Sequence, residues 1–111
     1  MLIRDLEKLD DIEVLTNDNE NMDGFIKGVY IGDLLSMVMS KALESQAWLT
    51  IQTHLNIIAV ASLIEFSIII IVEGMEVEDG TIAKANEIGI PIFRTNRSAY
   101  DMAKILASKG E

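Results

Sequence analysis

At 111 residues the chain has room for a single domain of ordinary size. Its 18 acidic residues against 9 basic ones leave a formal charge of −9, which removes the electrostatic attraction behind nucleic-acid binding and makes an anionic membrane surface repulsive. The absence of cysteine excludes a disulfide framework, a thiolate metal site and a cysteine nucleophile together.

Leu2, Leu6 and Leu9 fall on one face at helical spacing, with Asp5, Glu7 and Lys8 outside, so Leu2 to Leu9 reads as a short helix. Ile12 to Leu15 alternates weakly, as an edge strand does, and the polar run from Thr16 to Asn21 reads as a loop. Phe25 to Ile31 is a strand candidate, interrupted by Gly28 and bracketed by Gly24 and Gly32. Asp33 stands where an N-cap belongs for a helix over 34–43, whose apolar stripe is drawn from Leu34, Leu35, Val38, Met39, Ala42 and Leu43. Met37 and Met39 on that helix fit either an adaptable interface or core filling.

Ala47 to Ile51 reads as the next strand, with Trp48 as packing, and Thr53 as cap of a helix over Leu55 to Glu65 that turns Ile57, Ile58, Ala61 and Ile64 inward. Phe66 to Val72 contains four consecutive isoleucines without polar alternation, as a parallel strand covered on both faces requires. Burying Ile68 to Val72 contributes about 10 kcal/mol before chain entropy, at ~2 kcal/mol per side chain. Thr81 to Ile88 is helical and closes at Gly89; Ile90 to Phe93 is a strand with Pro91 near its start. Ser98 and Asp101 form a capping pair for a last helix, Ala99 to Ala107.

From residue 25 onward strand and helix alternate strictly. This predicts a single-domain α/β fold: a mostly parallel sheet of about 4–5 strands with right-handed crossovers and helices on both faces. The apolar span from Ala47 to Val72 is long enough to cross a bilayer, but Gln52, His54, Asn56 and Glu65 interrupt it, so it reads as strand, helix, strand. Half of the residues are hydrophobic and mean hydropathy is +0.28, which predicts that part of the apolar surface is covered in a homodimer. The N-terminus turns acidic too early for a signal peptide, and the expected location is the cytoplasm.

Ligands of open parallel sheets sit beyond the carboxyl ends of the strands. Those ends gather Tyr30, Gly32 and Asp33, then Gln52, Thr53, His54 and Asn56, then Glu73 and Gly74, and finally Thr95, Asn96 and Arg97. The candidate ligand-binding set is Tyr30, Asp33, Gln52, Thr53, His54 and Asn56. Two readings of Gln52 to Asn56 stand side by side: a ligand-recognition turn at a helix N-terminus, or a cluster of caps that holds the turn. The lone histidine has no acid or nucleophile assigned to it by spacing, so no catalytic residue is assigned. Neither GxxxxGK[ST] nor GxGxxG occurs, and no metal or cofactor is expected.

The segments Gly28 to Ser36, Trp48 to Ala61 and Gly89 to Ile92 resemble the DRTGG domain over about residues 25–108. The resemblance implies an α/β fold, a cytoplasmic setting, a tendency to oligomerise and a regulatory role. It also implies similarity to the N-terminal domain of HPr kinase/phosphorylase, without the kinase domain that carries the phosphate loop. Asn21 to Gly28 takes the place of the family's eponymous pentapeptide and does not preserve it. The expected function is therefore a non-catalytic regulatory or ligand-sensing module for a small anionic metabolite or nucleotide, with a protein-interaction or oligomerisation subunit as the alternative.

Overall fold

The structure is a computed structural model that describes residues 1–110. A five-stranded sheet runs in the order β1-β5-β4-β3-β2, from β1 (Ile12–Val14), β2 (Val29–Ile31), β3 (Ala47–Thr50), β4 (Ile68–Ile71) and β5 (Ile92–Thr95). Strands β2 to β5 are parallel in chain order, and β1 closes the far edge antiparallel to β5. The predicted α/β architecture holds.

Helices α2 (Leu35–Lys41), α3 (Asn56–Ile64) and α4 (Asp79–Ile88) connect consecutive parallel strands. They lie on one face, where Val38, Ile57, Ala61 and Ala85 pack with Ile69 and Ile71. On the other face α1 (Ile3–Leu6), a 3₁₀ turn (Glu20–Asp23) and α5 (Ala99–Gly110) bring Ile3, Leu6, Met22, Met102 and Leu106 against Ile68 and Ile70. The isoleucines of β4 thus divide two and two between the cores, which is why that strand tolerates no polar alternation. Trp48 stacks on Phe66 at 5.1 Å and donates its indole N–H to the Gly32 carbonyl at 2.9 Å.

Several boundaries differ from the sequence reading. The first helix is one turn, and Leu2 instead bridges to Phe25, which is 61% exposed and lies outside β2. Arg4 pins this turn to the following loop through Asp18 at 2.9 Å and Asp23 at 2.5 Å. The hydrogen bonds to Asp23 and Asp18 hold its guanidinium further above an arginine's already high range. In α2 only Leu35, Val38 and Ala42 pack inward; Leu34, Met39 and Leu43 of the expected stripe, and Met37, face water. Strand β5 starts two residues later than read, because the Ile90 N–H closes α4 on the Ala85 carbonyl at 3.0 Å and Pro91 has no N–H to give. The cap by Ser98 is present, its Oγ receiving the Asp101 N–H at 3.1 Å, and Gly89 closes α4 in the left-handed conformation.

Candidate functional site

The carboxyl ends of β2 to β5 share one edge of the sheet because those strands are parallel. At the β2–β3 end, Asp33 is not the cap of α2, which begins at Leu35 without a side-chain cap. Its Oδ1 instead receives the Thr50 hydroxyl at 2.7 Å and the Ile51 N–H at 3.0 Å, tying the edge strand to its neighbour. Gln52 donates its side-chain amide to the Asp33 carbonyl at 2.8 Å, and its backbone N–H to Thr50 Oγ1 at 3.1 Å. Asp33 and Gln52 are thus brought together through Thr50, a buried residue that the sequence reading did not single out.

Thr53 does not cap α3 either; its carbonyl receives the hydroxyl of buried Thr81 at 2.8 Å. His54 takes the capping role. Its Nδ1 accepts the Asn56 N–H at 3.1 Å, and its carbonyl accepts the Ile57 N–H at 3.1 Å. The Ile58 N–H goes to the Leu55 carbonyl at 3.0 Å. The first-turn amides of α3 are therefore spoken for, and the histidine lone pair at Nδ1 is engaged. An imidazole that accepts at Nδ1 carries its proton on Nε2, so exposed His54 presents a donor to solvent. No carboxylate among the described residues lies within ion-pair distance of His54. Tyr30 stands apart from the other candidates. It is paired with Trp48 inside β2, packs against the α2–α3 core, and folds its ring over Gly32, where a Cβ would lie 3.0 Å from it.

The β5 end holds a second cluster. Thr95 donates its hydroxyl to Asp11 Oδ2 at 3.3 Å and accepts the Arg97 N–H at 3.2 Å, while the Arg97 side chain forms an ion pair with the same carboxylate. Asp11 and Asp10 reach this rim because β1 is antiparallel, so its start rather than its end lies here. The sequence carries no signal for that direction. Glu73 and Gly74, both left-handed, complete the rim by donating their N–H groups to the carbonyls of Arg97 and Thr95. A Cβ at Gly74 would lie 2.5 Å from Asn96 Oδ1, so a larger residue there would have to displace the Asn96 side chain.

Three concavities bear on function. A small one of about 220 Å³ lies at the β1–β5 rim beside Asp11 and Arg94. A larger one of about 420 Å³ opens at the opposite end of the sheet, lined by Asn21, Gly24, Glu65, Phe66 and Gly89 among others. Its Asn21 side chain donates to the Gly89 carbonyl at 2.6 Å. The third, about 550 Å³, runs between α3 and α4. None encloses Gln52, Thr53 and His54, which stand at the open rim. No cluster of three or more metal-ligating side chains occurs among the described residues, and none of their helices is long and apolar enough to cross a membrane.

Comparison with known proteins resolves the family. The sequence model of the DRTGG domain matches residues 6–108. The chain belongs to the DRTGG domain family. The match begins at Leu6, the last residue of α1, so the domain includes β1, which the resemblance by motif had left out. No curated protein matches the chain. The DRTGG domain is similar in structure to the CBS and DRTGG domains of the regulatory region of Clostridium perfringens pyrophosphatase, a structure complexed with its activator diadenosine tetraphosphate. The TM-score is 0.68 at 14% identity, covering 86% of this chain and 41% of the other. The chain thus spans less than half of that regulatory region, and the likeness is one of fold.

Proposed function

We propose that this DRTGG domain is a non-catalytic, cytoplasmic regulatory module that senses a small anionic metabolite or nucleotide at the carboxyl ends of β2 and β3. The observation that carries the reading is what remains after the rim has satisfied its own hydrogen bonds. Nε2–H of His54, the side-chain oxygen of Gln52, the Thr53 hydroxyl and the Asn56 side-chain amide have no partner among the described residues. They supply both donors and acceptors within the five positions 52–56, on a turn that Asp33 and Thr50 hold in place. These neutral groups suit the edges of a base or sugar better than a bare phosphate, so within this class a nucleotide is favoured. The place of a DRTGG domain in the regulatory region of a pyrophosphatase with a nucleotide activator supports the same reading.

Thermal unfolding against mononucleotides, diadenosine tetraphosphate and small phosphorylated or carboxylate metabolites tests it. A ligand present at 100 times its Kd stabilises by about 2.7 kcal/mol, an upward shift of about 10 °C for a domain of this size. His54→Ala and Gln52→Ala abolish the shift. A flat response across the panel at millimolar ligand, or a shift that survives both substitutions, removes the proposed site.

A further inference from the structure

We infer that the 420 Å³ cavity at the amino end of the sheet binds a small primary alkylammonium ion, with the Glu65 carboxylate as its counter-charge. The cavity forms where α3 and α4 end, each closed by a left-handed residue, Glu65 and Gly89. The closing carbonyls of the two helices, at 62–64 and 86–88, follow the last intrahelical bonds and accept from no described residue. Two helix C-termini therefore bring their negative ends to one hollow. Neither helix has a basic residue in its last turn, and no lysine or arginine lines the cavity.

Glu65 breaks two local rules at once. Its φ of 65° is a conformation that glycine or asparagine adopts at a helix end with less strain. Its carboxylate adds negative charge where the helix already has it. The side chain is exposed and forms no ion pair with any described residue. The backbone is held in place by the Ser45 N–H, donated to the Glu65 carbonyl at 2.9 Å. A ligand of opposite charge accounts for a residue that costs stability in both backbone and charge.

The acceptor set selects the ligand class. One carboxylate, the Ser62 hydroxyl and helix-end carbonyls can each receive one of the three diverging N–H groups of an ammonium. A divalent metal ion needs more carboxylates than one. Phe66, Ile88 and Pro91 line the same cavity and offer an alkyl stem apolar surface to cover.

The cavity lies at the opposite end of the sheet from Gln52 and His54, so the inference stands apart from the rim reading. Titrating the isotope-labelled chain with n-butylamine hydrochloride and 1,4-diaminobutane, followed by amide chemical shifts, tests it. Saturable shifts are expected at residues 62–67 and 88–90, with a Kd on the order of 1 mM. Tetramethylammonium chloride at equal ionic strength carries the charge without a donor and leaves those amides unshifted. Glu65→Gln weakens the binding roughly tenfold or more. His54→Ala leaves it unchanged, as does Asp10→Asn, which removes an exposed acid at the far rim. Glu65→Gly loses the binding yet raises the unfolding temperature of the free chain by a few degrees, because it relieves both the strain and the misplaced charge. The inference is overturned by shifts spread evenly over the acidic surface, by equal shifts with tetramethylammonium, or by a Kd indifferent to Glu65→Gln. The absence of a saturable shift at ten times the expected Kd overturns it as well.

Discussion

The two ends of the sheet's polar rim use the same device in opposite strand contexts. At the β2–β3 end, buried Thr50 closes its strand, accepts the N–H two residues on, and donates its hydroxyl to Asp33 of the edge strand's exit. At the β5–β1 end, Thr95 does the same with the Arg97 N–H and Asp11. One edge strand is parallel to its neighbour and the other antiparallel, yet each is pinned by a threonine–aspartate hydrogen bond at the same rim. The difference lies in what completes the carboxylate. Asp33 is completed by a backbone N–H and stays largely exposed, whereas Asp11 is completed by the Arg97 guanidinium, its side chain is 29% exposed, and its Oδ1 is buried without a partner. One half of the rim is an exposed carboxylate held by uncharged donors; the other is a charge pair closed on itself.

The comparison is broken most sharply by removing each carboxylate. Asp11→Ala strands the Arg97 charge and the buried Thr95 hydroxyl, and is expected to cost about 2–3 kcal/mol in urea unfolding. Asp33→Ala leaves Thr50 and the Ile51 N–H where water reaches them through the exposed site, and costs about 1–2 kcal/mol. Equal costs at the two ends would mean that the guanidinium contributes nothing beyond what a backbone N–H supplies. The threonines come next. Thr50→Val and Thr95→Val each remove a bridging hydroxyl while keeping volume and β-branching, with an expected loss of about 1 kcal/mol. Thr50→Val is the larger because its hydrogen bond is 2.7 Å against 3.3 Å. The reverse order would show that the Asp11 end relies on its hydroxyl more than geometry indicates.

How much of this was readable from the sequence follows from what periodicity encodes. The four isoleucines announced a strand buried on both faces, and the alternation after residue 25 announced parallel strands, because both are patterns of side-chain burial. Direction at the far edge was not encoded. Ile12 to Val14 looks the same running either way, and so Asp11 was missing from the rim. Asp33 was misread as a cap because an aspartate ahead of an apolar helix satisfies the capping pattern whether its oxygen turns to the helix or to the next strand. His54 bears on both open readings, since its two nitrogens face different ways: Nδ1 caps α3, and Nε2 has no partner among the described residues. The apolar stripe of α2 was too wide to say which leucines face inward: Leu35 packs on the core, while Leu34 and Leu43 stay in water.

The finest test of the rim comparison is salt, because the two halves differ in charge and not in hydrogen-bond count alone. The Debye length falls from about 10 Å at 0.1 M to about 3 Å at 1 M ionic strength, and the Asp11–Arg97 pair is exposed enough to feel it, at 29% and 38% for the two side chains. The cost of Asp11→Asn, which keeps shape and one acceptor oxygen but removes the charge, should therefore shrink by a few tenths of a kcal/mol between low and high sodium chloride. The cost of Asp33→Asn should not, because its partners are a hydroxyl and an amide with no net charge to screen. Comparing the two differences at each salt concentration cancels the general effect of salt on a chain of charge −9. A parallel drop at both positions would show that the distinction between a carboxylate held by uncharged donors and one held by a guanidinium does not survive in solution.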